Sequence, residues 1–96
     1  MWFVRGIERL GLPRIAMADG STTGVKGSFG TGTVLPSALA LAATWDRGLA
    51  KDFGDVEAND CLAVGYQILL GPAVNLSRNP LLGRNTEYFG EDPYLS

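Results

Sequence analysis

Residues 46–74 read DRGLAKDFGDVEANDCLAVGYQILLGPAV, and their reading decides the fold. Asp46 is a residue type that caps a helix by accepting hydrogen bonds from its first free amides, and Gly65 is the type that ends one in the left-handed conformation. The spacing predicts a helix from Asp46 to about Val64. Leu49, Phe53 and Val56 form one stripe on it, and Asp60, eleven residues after Leu49, returns near the middle of that stripe because eleven residues make almost three turns. An acid there is expected to meet an arginine, a lysine or a backbone N–H, since an unpaired buried carboxylate is strongly disfavoured. After Gly65, YQILLGPAV is a short apolar run stopped by Gly71 and Pro72, the pattern of a buried strand.

Working outward, RIAMADG (14–20) is a second such run, ending in Asp19 and Gly20, and is read as a buried parallel strand. Between the two lie STTGVKGSFGTGT (21–33), read as a long surface loop, and LPSALALAAT (35–44), a core strand or a short helix that periodicity leaves open. At the start of the chain, Phe3, Ile7 and Leu10 at three- and four-residue spacing, followed by Gly11 and Pro13, predict a helix over 2–10 with a glycine stop. It has no cap of its own. Beyond Val74 the chain turns to loop chemistry, with Asn75, Asn79, Pro80, Gly83, Gly90 and Pro93.

Strand, loop, helix, strand, loop is the order of βα units in a parallel sheet, so the fold class is α/β. A right-handed crossover puts both strand ends on one face, where ligands bind. An eight-fold βα barrel takes about 250 residues, so two or three strands cannot close one. The expectation is an incomplete chain, a few units of such a barrel whose apolar faces want neighbours.

Composition narrows the function. With 46% hydrophobic and 19% charged residues, the chain is a packed segment rather than a disordered one. A net charge of -2 gives no electrostatic footprint for nucleic acid or an anionic membrane surface, and no run approaches a membrane span. The opening MWFVRGIERLG is too broken by charge for a signal peptide, and no compartment is legible. The single cysteine, Cys61, is read as a small core residue; with no histidine, the usual soft ligands for zinc or copper are missing.

Three places could carry chemistry. The glycines of GSFGTGT follow neither the G-x-G-x-x-G nor the G-K-[ST] spacing of phosphate loops, which argues against a nucleotide-binding βα unit. Asp19 stands at the carboxyl end of a strand, as a ligand contact or as an Asp-Gly turn former. Arg78, Arg84, Glu87, Glu91 and Asp92 crowd into NLSRNPLLGRNTEYFGEDP (75–93), as a site or as charges that pair on a surface.

The runs LPRIAMADG, GTGTVLPSALALAATWD and LLGPAVNLSRNPLLGRNTEYFGEDPYLS, in that order, resemble consecutive motifs of glycoside hydrolase family 3, whose β-glucosidases are its best-known members. The resemblance spans nearly the whole chain. It implies that residues 1–96 are a fragment of that family's N-terminal catalytic barrel, a partial (β/α)8 barrel of the TIM type. The parent enzyme would hydrolyse terminal β-linked sugars with retention, with no metal or organic cofactor and a glycoside or small oligosaccharide as substrate. Retention needs two carboxyl groups about 5 Å apart. In the family both lie downstream of these motifs, so the resemblance assigns no catalytic residue here and implies that the fragment alone is inactive.

It does assign two substrate-binding residues. Asp19 matches the family's sugar-binding aspartate, and Arg84 the arginine of its Gly-Arg-Asn motif. The chemistry suits both, a carboxylate accepting from sugar hydroxyls and a guanidinium offering a rigid fork of donors. Arg78, Glu87 and Glu91 also match the family's pattern, but they are read as loop-ordering ion pairs rather than ligands. Two departures stand out. DGSTTGVK is one residue longer than the family's D-G-P-x-G-V-R and ends in Lys26 rather than arginine, and Thr86 replaces a common aromatic behind Arg84. The alternative reading is a non-catalytic sugar-binding or scaffolding remnant.

Overall fold

A computed structural model of the chain describes residues 2–20 and 23–96. A three-stranded sheet runs in the order β1-β2-β5, from β1 (Trp2–Val4), β2 (Ile15–Ala18) and β5 (Ile68–Leu69). The two expected strands, β2 and β5, pair in parallel, with Met17 opposite Ile68 and Ala18 opposite Leu69. Gln67 joins them further: its amide N–H donates to the Ala16 carbonyl, and its side-chain Oε1 accepts from the Ala16 amide.

The helix α2 (Arg47–Val64) crosses between them as its end signals predict. Asp46 Oδ1 accepts from the amides of Gly48 at 2.8 Å and Leu49 at 3.1 Å. Gly65, at φ +91°, donates to the carbonyls of Cys61 and Leu62. A shorter helix, α1 (Ala38–Ala42), settles the open reading of 35–44: Ser37 caps it by accepting from Ala40, and Ala38, Leu41 and Ala42 are buried.

Two expectations are corrected. The segment 2–10 is not a helix: β1 pairs antiparallel with β2, Trp2 opposite Met17 through Val4 opposite Ile15, and only Glu8–Leu10 forms a 3₁₀ turn before Gly11 at φ +66°. Phe3, Ile7 and Leu10 are all exposed, so no buried face rewards their helical spacing, whereas β2 offers an unpaired edge. The stretch read as a plain loop holds a hairpin of β3 (Lys26–Gly27) and β4 (Gly30–Thr31); its first two residues, Ser21 and Thr22, lie outside the described residues.

The core gathers Ala16, Ala18, Val25, Cys61 and Tyr66, with Val64 and Leu69 packed against it. Cys61 is the small core residue expected. On α2 the core face is therefore rotated from the expected stripe. Glu57 and Cys61 are its buried residues, while the stripe of Leu49, Phe53 and Val56 lines an apolar groove with Leu35 and Leu41 instead. Asp60 is half-buried and finds the backbone donor expected of it, the Thr33 amide at 2.6 Å.

Glu57 was not anticipated as a buried acid. It is 7% exposed, and among the described residues its Oε1 has no hydrogen-bond partner. Burial, and then the charge of Asp60, hold its pKa above the ordinary glutamate value. An acid whose pKa is raised by folding opposes folding as pH rises through and beyond its unfolded value. Glu57→Met, close in volume, should therefore raise unfolding stability by about 1–3 kcal/mol at neutral pH, and by less as pH drops below the ordinary carboxylate range. Urea unfolding at pH 7 and pH 4 measures this, and an equal gain at both pH values would refute it.

Candidate functional site

Asp19 is the first residue past β2. Its backbone is held on both sides by Lys26, the Asp19 amide donating at 2.9 Å and its carbonyl accepting at 2.7 Å. Its Oδ1 accepts from the Gly20 amide at 2.8 Å, and the residue is exposed. Gly20, at φ +129°, is buried against the Gly24 carbonyl, where any Cβ would collide. The hairpin is thus folded back onto the strand end, and Lys26 is exposed beside Asp19.

Because β2 and β5 are parallel, the chain leaves β5 at the same end of the sheet and then runs through the long segment to Arg84. That segment is ordered mainly by amides. Asn79 Oδ1 accepts from Leu81, Asn85 Nδ2 donates to the Asn79 carbonyl at 2.7 Å, and Ser77 donates to Gly90 across a parallel bridge between Leu76 and Gly90. Buried Tyr88 anchors its end, and the 3₁₀ turn Asn85–Glu87 packs against α1. Asn79 and Asn85 were not singled out for this task, although an asparagine beside a turn is the available signal.

Arg84 is bidentate to Glu87, with Nε donating to Oε1 at 2.7 Å and an Nη to Oε2 at 2.6 Å. The expected ion pairs are thereby corrected. Of Arg78, Glu87 and Glu91, only Glu87 forms one among the described residues, and its partner is Arg84 itself at i,i+3 spacing. The hydrogen bond and charge of Glu87 raise the pKa of Arg84, with Tyr88 and Asp19 adding lesser electrostatic contributions. Asp19 and Lys26 are thus neighbours past the end of β2, while the Arg84 side chain is 71% exposed and paired with Glu87. Among the described residues no group of three or more His, Cys, Asp or Glu side chains converges to hold a metal.

Residues 4–96 match the Glycosyl hydrolase family 3 N terminal domain. The chain is 42% identical over 106 residues to thermostable beta-glucosidase B of Acetivibrio thermocellus, covering 99% of this chain and 14% of that protein. It is 39% identical over 99 residues to a beta-glucosidase of Kluyveromyces marxianus, covering 99% and 12%. Among solved structures, it resembles DesR, a beta-glucosidase from Streptomyces venezuelae in complex with D-glucose, with a TM-score of 0.88 and 40% identity over 98% of this chain and 12% of that one. It also resembles beta-glucosidase 3B from Thermotoga neapolitana in complex with glucose, with a TM-score of 0.86 and 36% identity over 98% and 14%. The chain thus spans between 12% and 14% of the length of these relatives.

The hydrogen bond from Arg84 lowers the pKa of Glu87 from its ordinary value. An acid held low in the folded state supports folding above its unfolded pKa and loses that support as pH falls through the folded value. The Glu87 carboxyl, followed by carbon NMR, should therefore titrate below the usual glutamate range, and Arg84→Ala should return it there. An unchanged midpoint in that variant would show that the pair does not hold in solution.

Proposed function

The chain belongs to glycoside hydrolase family 3, and from that premise we propose that residues 1–96 are a fragment of its N-terminal catalytic barrel, carrying part of the glycone site. The parent enzyme hydrolyses terminal β-linked glucosides with retention. The observation that carries this reading is the match, at 40% and 36% identity, to two beta-glucosidases solved with glucose. The parallel β2–β5 pair joined across α2 fits βα units of a barrel. Trp2, Val34, Leu62 and Leu81, all exposed here, are the apolar surface that neighbouring units would cover.

In this reading the Asp19 carboxylate accepts hydrogen bonds from two adjacent sugar hydroxyls, and Arg84, fixed by Glu87, offers its remaining donors to the same ring. Together they orient the sugar without taking part in bond cleavage. The nucleophile and the acid/base come from other parts of the parent.

Two outcomes are expected. The 96-residue chain should not hydrolyse aryl β-glucosides, and turnover that survives purification and is lost in Asp19→Ala would overturn the assignment of roles. In a parent carrying the rest of the barrel, Asp19→Ala should cost about 2–4 kcal/mol of transition-state binding, read as kcat/KM. A loss below about tenfold would remove Asp19 from the site.

A further inference from the structure

The glycine-rich run GSFGTGT has no phosphate-loop spacing, and the sugar-site reading leaves it without a task. In the structure it is gripped at two points, by the last turns of α2 and by the second residue past its end. Asp60 Oδ2 accepts from the Thr33 amide at 2.6 Å, and the hydroxyl of buried Tyr66 accepts from the Phe29 amide at 2.7 Å. Phe29 also stacks on the Tyr66 ring, with centroids 5.3 Å apart. Both grips need a missing side chain: a Cβ on Gly32 would run into the Asp60 carboxylate, and one on Gly27 into the Tyr66 hydroxyl.

The gripped hairpin leads to Asp19 through a short chain of backbone bonds. Gly32, next to Thr33, donates to the Val25 carbonyl at 2.8 Å, and Lys26, next to Val25, makes the paired bonds that bracket Asp19. Val25, 1% exposed, fixes that point in the core. We propose that Asp60 and Tyr66 are positioning residues for the sugar site, bracing the glycine-rich hairpin so that the Lys26 backbone holds the Asp19 backbone, and through it the place from which the carboxylate projects. The proposal rests on the reading of Asp19 as a sugar ligand. It predicts a selective effect: loss of a grip loosens the hairpin and the Asp19 bridge but leaves α2 protected, whereas a merely structural role would loosen all three together.

The test follows amide hydrogen exchange by NMR in the 96-residue chain and D-glucose affinity in a parent carrying the rest of the barrel. Asp60→Ala should speed exchange at Thr33, Lys26 and Asp19 by about tenfold or more, with amides in the middle of α2 unchanged. Asp60→Asn, whose side-chain oxygen still accepts, should restore the parent rates. Tyr66→Phe, which keeps the ring and removes only the hydroxyl, should act at Phe29 and Lys26, and it supplies the same reading should Asp60→Ala unfold the chain. Glucose affinity should fall by about fivefold or more in Asp60→Ala and stay near the parent value in Asp60→Asn. Unchanged exchange at Lys26 and Asp19 in both Asp60→Ala and Tyr66→Phe overturns the brace. If Asp19→Ala abolishes glucose binding while Asp60→Ala leaves it unchanged, the brace fails and the sugar site stands. If Asp19→Ala has no effect on binding, the sugar-site reading itself fails, and the positioning role falls with it.

Discussion

The inner face of β2 is made of two alanines, Ala16 and Ala18, and the rest of the structure depends on how little room they take. Ala18 has no exposed surface, and the neighbouring Val25 is 1% exposed. A larger side chain at either alanine would push Val25 outward, and with it the hairpin whose Lys26 brackets Asp19. The same face receives Cys61 from α2 and Tyr66 from the start of the return path. Close packing there joins helix, hairpin and strand end into one unit.

The end of the sheet that results is an electrostatic arrangement rather than an enclosed cavity. Arg84 spends two of its donors on Glu87 in an i,i+3 pair, which favours one orientation of the guanidinium. Asp19 is fixed through its backbone and by its own Gly20 amide. A ligand meeting groups already held in place loses less entropy on binding. Elsewhere on the chain many large apolar residues, among them Trp2, Val34, Leu62 and Leu81, are exposed.

Legibility varied by element for physical reasons. The limits of α2 could be read from Asp46 and Gly65, because capping bonds are made within a few residues of chain. The strands β2 and β5 could be read from short apolar runs bounded by turn residues. Segment 2–10 could not. Its three- and four-residue spacing is real, yet among the described residues no apolar surface buries that stripe, and pairing along β2, a contact distant in sequence, sets its form. The phase of α2 was legible for Asp60 but not for Glu57, since which flank of a stripe meets the core depends on what packs there.

The sequence by itself determined the order of β2, helix and β5, the helix between its caps and the family to which its motifs belong. Those are properties of local chain chemistry and of motif order. Only the tertiary structure decided that Arg84 takes Glu87 as its partner, that the glycine-rich run is a braced hairpin, and that Asp60 and Tyr66 grip it. Each of these is settled by close approach between segments, where a single missing Cβ at Gly27 or Gly32 determines whether two groups can meet.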